Sequence, residues 1–160
     1  MADSPPPKML SLNLISFGYQ YDKPKEADLV LSARHFPTPS KEVRQKHDGT
    51  HTRLQNDLYH HKDFNGLYDK LLEEILNFIS QHQTNIEPAE LTLTIAVGCE
   101  EGKHRSVAII ERLAMDLEEI HEAQITITHR DLDRRQKQIT KQKAYDQRRS
   151  EKHGSLEWDS

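Results

Sequence analysis

Residues 98–106, Gly-Cys-Glu-Glu-Gly-Lys-His-Arg-Ser, follow the apolar run Leu-Thr-Leu-Thr-Ile-Ala-Val and precede a stretch with helical apolar spacing. A glycine-containing loop running into a helix turns several backbone N–H groups toward one point, and the helix dipole adds partial positive charge there. Lys103, His104 and Arg105 increase that charge, Arg105 can grip two phosphate oxygens in a fork, and Ser106 adds a hydroxyl. Cations at a helix N-terminus oppose the dipole, so their clustering asks for an anion. The candidate ligand-binding residues are therefore Gly98, Cys99, Gly102, Lys103, His104, Arg105 and Ser106. An ordinary turn with solvated charges is the plainer alternative.

The loop is not a Walker loop. That motif places four residues between its glycines and Ser or Thr after the lysine; here three residues separate Gly98 from Gly102, and His104 follows Lys103. The spacing from Cys99 to Arg105-Ser106 does match the Cys-x5-Arg loop of cysteine-dependent phosphatases. In that reading Cys99 is the nucleophile and Arg105 holds the phosphate oxygens. Such a cysteine needs a depressed pKa, and the neighbouring Glu100 and Glu101 work against it unless they point away. Gly98 stands where that class usually carries His, and nothing singles out Asp57 or Asp63 as a general acid. A binding role is preferred to an enzymatic one. No metal site is expected, because His60 and His61 are adjacent rather than one helical turn apart. No cofactor is expected either.

The loop needs elements to position it. Leu10, Leu12 and Leu14 alternate with Ser11, Asn13 and Ile15, the period of a strand. Ala-Asp-Leu-Val-Leu-Ser-Ala-Arg reads as a second short strand, stopped by Pro37 and Pro39. From Lys41 to Asp63 no sustained period appears, which predicts a long loop with at most one helical turn. Phe64, Leu67, Leu71, Ile75 and Phe78 predict one face of a helix. The strand ending in Ile95-Ala96-Val97 suits a central position covered on both faces. Val107, Ile110, Leu113, Ala114 and Leu117 predict a second long helix, and Ala-Gln-Ile-Thr-Ile-Thr-His a last strand. This order predicts one small α/β domain with a mostly parallel sheet of about four strands flanked by helices. Ligands in such sheets bind beyond the carboxyl ends of the strands, which is where the 98–106 loop falls.

The chain has 160 residues, a mean hydropathy of -0.85 and one cysteine, enough for one core and no intrachain disulfide. Its start lacks a signal-peptide pattern, and no apolar stretch approaches the ~20 residues of a membrane span. A soluble cytoplasmic protein is the default, with a nuclear location left open. The net charge of -4 hides an asymmetry: residues 130–152 hold nine Lys or Arg and four acids, so they sum to +5 against -9 elsewhere. That segment is a candidate RNA contact, or simply a solvated tail. The expected layout is a disordered leader at 1–8, a domain over 9–137, and a charged ending over 138–160, helical or disordered.

The sequence also carries a resemblance. Gly-Cys-Glu-Glu-Gly-Lys-His-Arg-Ser-Val is similar to the signature of the C-terminal domain of the RNase adapter RapZ family. Ser16-Phe17-Gly18, Tyr21, Pro24, Ala27-Asp28, Arg34 and the Pro37-x-Pro39 turn resemble that family's opening, and His129, Arg130 and Leu132 its ending. The resemblance implies a compact α/β domain with a phosphate- or phosphosugar-sized pocket. In the bacterial proteins this domain is associated with glucosamine-6-phosphate sensing and small-RNA binding. It adds Arg34, His129 and Arg130 as secondary ligand-binding residues. Two departures stand out: Glu100-Glu101 replace the family's Thr-Gly, and Ser40 replaces its histidine after the proline turn. The chain reads as a stand-alone member without the family's N-terminal nucleotide-binding domain. The expected function is binding of a phosphorylated small molecule, with RNA contact through the basic segment; the alternatives are a Cys-x5-Arg phosphatase and a protein-interaction module. No protein partner is named by the sequence.

Overall fold

The alternation of Leu10, Leu12 and Leu14 becomes the covered face of β1 (Met9–Gly18) in a computed structural model, which describes residues 9–83 and 90–132. A single 3-10 turn (Tyr19–Tyr21) follows, then β2 (Leu29–Ser32). Three helices come next: α1 (Lys41–Lys46), α2 (Thr52–Tyr59) and α3 (Phe64–Gln83). The chain ends, within the described residues, in β3 (Glu90–Cys99), α4 (Arg105–His121) and β4 (Gln124–His129). The leader at 1–8, and the charged ending from 133 onward, lie outside the described residues.

The four strands form one all-parallel sheet in the order β2-β3-β1-β4. Residues in register point to the same side of a parallel sheet, so Leu12, Leu93 and Ile125 share one face, as do Leu14, Ile95 and Ile127. The crossovers β2-to-β3 and β3-to-β4 both run in the same direction across the sheet. Right-handed connections then put their helices on the same face. The core is accordingly a single layer between the leucine face of the sheet and α2, α3 and α4, with Leu12, Leu14, Leu54, Leu58, Ile75 and Ile109 among its fully buried side chains.

β3 is central, as its apolar run implies, but its double cover is confined to one half. Ile95 through Cys99 are all buried, whereas Thr92 is exposed. The opposite sheet face near the amino ends carries Ser11, Asn13, Thr94 and Thr126, with the Asn13 amide donating to Thr94 Oγ1. Water satisfies such a face without helices above it.

The loop expected over 41–63 is corrected by the structure, which folds α1 and α2 there. Each carries too few apolar positions for a period to show: Val43 in α1, Leu54 and Leu58 in α2. Tertiary burial supplies what the local pattern does not, because Leu54 and Leu58 are fully enclosed against the rest of the core. The expected face of α3 is also shifted: Phe64, Leu71 and Ile75 are buried, but Tyr68 and Ile79 complete the stripe while Leu67 and Phe78 are half-buried.

Candidate functional site

The 98–106 loop sits at the carboxyl ends of β1 and β3, where Gly18 pairs with Cys99. Close packing forces its glycines. A Cβ on Gly98 would lie 2.3 Å from Cζ of Phe17, whose ring is fully buried. Gly102 has φ +75°, in the left-handed region that disfavours side chains, and a Cβ there would meet Gly18 N at 2.5 Å. The chain can therefore turn from β3 into α4 directly over the end of β1.

Cys99 ends β3 with its thiol turned inward. The side chain is buried, with Sγ 3.2 Å from Ser106 Oγ and 3.4 Å from Ser106 N. Ser106 is fully buried in the first turn of α4, so thiol and hydroxyl brace the loop from beneath. His104 is the N-cap of α4 without a side-chain cap bond. Its Nε2–H instead donates to the Arg44 carbonyl at 3.1 Å. Burial holds its pKa below 6.5; the positive charges of Lys103 and Arg44 push the same way, while the bond to Arg44 and the Glu101 carboxylate oppose them. The Gly49 amide donates to the Lys103 carbonyl at 2.9 Å, so the α1–α2 connection supports the loop from the side.

Arg105 opens α4 and reaches back over β2. Its Nη1 donates to the carbonyls of Arg34 at 2.8 Å and Phe36 at 3.2 Å. Arg34 in turn lies 3.9 Å above the Tyr19 ring and pairs through Nε with Glu100 Oε1 at 2.7 Å. Lys103 meets no carboxylate among the described residues, and the backbone N–H groups of Glu101, Gly102 and Lys103 meet no acceptor there. The rim thus presents open donors and one unpaired ammonium, while one of its two glutamates is neutralised.

The residues at the end of β4 divide. Arg130 reaches the same sheet edge: its guanidinium lies 5.6 Å from the Phe17 ring, forks onto Asp131 with both bonds at 2.9 Å, and donates to the carbonyls of Tyr21 and Asp22. His129 turns the other way, onto the helix-covered face. Its Nε2–H donates to Glu111 Oε2 at 2.8 Å, and its Nδ1 accepts the hydroxyl of the fully buried Ser16 at 2.7 Å. The structure therefore gathers Arg34, Gly98, Gly102, Lys103, His104, Arg105 and Arg130 around one edge, sets Cys99 and Ser106 beneath it, and leaves His129 behind the sheet.

Sequence reasoning missed Asp131, which is fully buried and accepts the Gly18 amide at 2.6 Å, tying β1 to the turn after β4. Its position directly after Arg130 was the available signal. Tyr19, Ser16 and Glu111 were also missed; each acts across the sheet, at a distance no local pattern records. The described residues hold no cluster of three or more potential metal ligands and no helix long and apolar enough to cross a membrane.

Residues 10–133 match the model of the RapZ C-terminal domain. A protein named nucleotide-binding protein from Lactobacillus delbrueckii subsp. bulgaricus is 36% identical over 125 residues, covering 77% of this chain and 41% of the relative. A protein of the same name from Synechococcus sp. (strain JA-3-3Ab) is 35% identical over 112 residues, covering 69% of this chain and 32% of the relative. The chain thus spans well under half the length of these relatives. With the match spanning residues 10–133 and relatives 35–36% identical over most of the chain, this chain belongs to the RapZ C-terminal domain family.

Proposed function

We propose that the domain binds a phosphorylated small molecule of phosphosugar type at the 98–106 loop. The observation that carries this reading is the junction of β3 and α4: open N–H groups at Glu101, Gly102 and Lys103 beside the unpaired Lys103 ammonium and the Arg105 guanidinium. Such an arrangement offers both fixed dipoles and mobile charge to a dianion. The two relatives named above are called nucleotide-binding proteins, which accords with a phosphate-bearing ligand. Contact with RNA through residues 130–152 is a further part of the proposal and rests on the +5 charge of that segment.

A phosphatase reading has one observation in its favour, the Ser106 amide that donates to Cys99 Sγ at 3.4 Å, although the thiol itself donates to Ser106 Oγ. The burial of that thiol, at 3% exposure, weighs more heavily against it, since a nucleophile must face the phosphorus. Turnover of an aryl phosphate that disappears in Cys99→Ser would reverse this preference.

Thermal-shift measurements with phosphosugars, nucleotides and inorganic phosphate test the binding site. A ligand at ~100 times its Kd should add about 2.7 kcal/mol of stability. Lys103→Gln should weaken binding, and Arg105→Ala should weaken it more, through loss of about 1.5–3 kcal/mol. Equal phosphate affinity in wild type and Arg105→Ala would show that the anion binds elsewhere.

A further inference from the structure

A groove opens beside the carboxyl half of β2, at Leu31 and Ser32, on the far flank of the sheet from β4. It comprises a wide mouth of about 640 Å³ and a narrower slot of about 220 Å³, joined through His35, Leu67 and Lys70. One wall is α3 and the other is β2 with the segment that follows it. Neither cavity is lined by any residue of the 98–106 loop. We propose that this groove takes the carboxyl-terminal segment of a partner protein, added as a further strand beside β2 with its terminal carboxylate in the mouth.

Four observations support that occupant. First, β2 is an edge strand: among the described residues its only partner strand is β3, and its sequence Leu-Val-Leu-Ser has none of the prolines or charges that blunt sheet edges. An open edge of this kind pairs with an added extended peptide. Second, the lengths agree. The wall from Gly66 to Glu74 spans roughly 12 Å at ~1.5 Å per helical residue, room for about four extended residues at ~3.3 Å each, facing Leu31 and Ser32 of β2 and His35, Pro37 and Thr38 after it.

Third, chemistry is graded along the groove. Leu31, Ser32, Leu71 and Glu74 line only the slot, and His35, Leu67 and Lys70 line both parts, whereas the mouth adds His61 and Lys62 against a single carboxylate, Asp63. Neither lysine has an acidic partner among the described residues. Because the mouth lies past the carboxyl end of β2, a peptide with its terminus there runs parallel to β2, in keeping with the all-parallel sheet. Fourth, Gly66 opens into the mouth with nothing within 4 Å of where a Cβ would stand. Glycine weakens a helix, and no packing requires it here; its absent side chain leaves the mouth clear.

The test uses the ¹⁵N-labelled full chain and the N-acetylated hexapeptide Ser-Thr-Val-Ile-Thr-Val, as the free acid and as the C-terminal amide. The free acid should shift the amides of 29–32 and 66–74 and bind at least fivefold tighter than the amide. The double variant Lys62→Gln/Lys70→Gln should erase the preference for the acid. Gly66→Leu, at an open helical position, should keep the native spectrum and block both peptides. Phosphate should still titrate the 98–106 amides in every variant, which separates this site from the one proposed above. Equal binding of acid and amide, shifts elsewhere, an absence of binding, or the same shifts from acetate alone at matched concentration would each overturn the proposal.

Discussion

Arg34 Nε lies 2.7 Å from Glu100 Oε1, bridging the segment after β2 to the first residue after β3. The pair answers the difficulty that Glu100 poses for an anion site, since its charge is cancelled within the rim. Both side chains are about half exposed, so the pair contributes little to stability, about 0.2–1 kcal/mol. Its effect should appear in binding instead. Glu100→Gln should tighten inorganic phosphate binding at low salt, and Arg34→Ala should weaken it, each by about 1 kcal/mol or roughly fivefold. Calorimetric titration measures this; identical affinity in Arg34→Ala and wild type would remove Arg34 from the account.

Gly98 should be intolerant of even one methyl group. The Phe17 ring occupies the space where its Cβ would go, held edge-on to Tyr19 at 4.8 Å between centroids. Gly98→Ala should cost about 1–3 kcal/mol through overpacking. Adding Phe17→Leu should recover part of that loss in a urea titration. A Gly98→Ala protein as stable as wild type would show that the ring moves freely.

His129 should prove structural. Removing its ring in His129→Ala leaves the Ser16 hydroxyl buried without its partner and frees Glu111. The expected cost is about 1–3 kcal/mol, with phosphate affinity unchanged because the ring faces the helix-covered side of the sheet. A selective loss of phosphate binding, without loss of stability, would return His129 to the ligand site.

Acid should destabilise the domain through His104. Its pKa in the folded chain is depressed, chiefly by burial, below the 6.5 of an unfolded histidine. As pH falls through 6.5 the unfolded chain takes up a proton that the folded chain refuses, so stability is full above that value and declines below it until His104 itself protonates. His47 shifts in the same direction, through desolvation and the charge of His51, whose ring is stacked 3.7 Å away. Stability measured from pH 7.5 to 5 should therefore slope downward. The slope should be shallower, though not absent, in His104→Gln. An unchanged slope in that variant would assign the effect to other groups.

The sequence by itself determined the elements with strong periods. Leu10, Leu12 and Leu14 define β1, the run to Val97 defines β3, and Val107 to Leu117 define α4, because burial on one side imposes a repeat that a reader can see. It also determined the membership of the family, since the loop residues and their flanking motifs are contiguous stretches. Only the tertiary structure decided the rest. α1 and α2 were hidden because Val43, Leu54 and Leu58 are too few to form a pattern, and their burial depends on partners far along the chain. The contacts of Arg34, His129 and Arg130 were likewise undecided, since a charged side chain at a sheet edge can face solvent or close on a distant neighbour. Arg34 closes on Glu100, His129 on Ser16 and Glu111, and Arg130 on Asp131. Those partners lie 66, 113, 18 and one residue away. Sequence spacing fixes what is near along a helix or strand, but the parallel sheet alone brings the ends of β1, β3 and β4 to one edge.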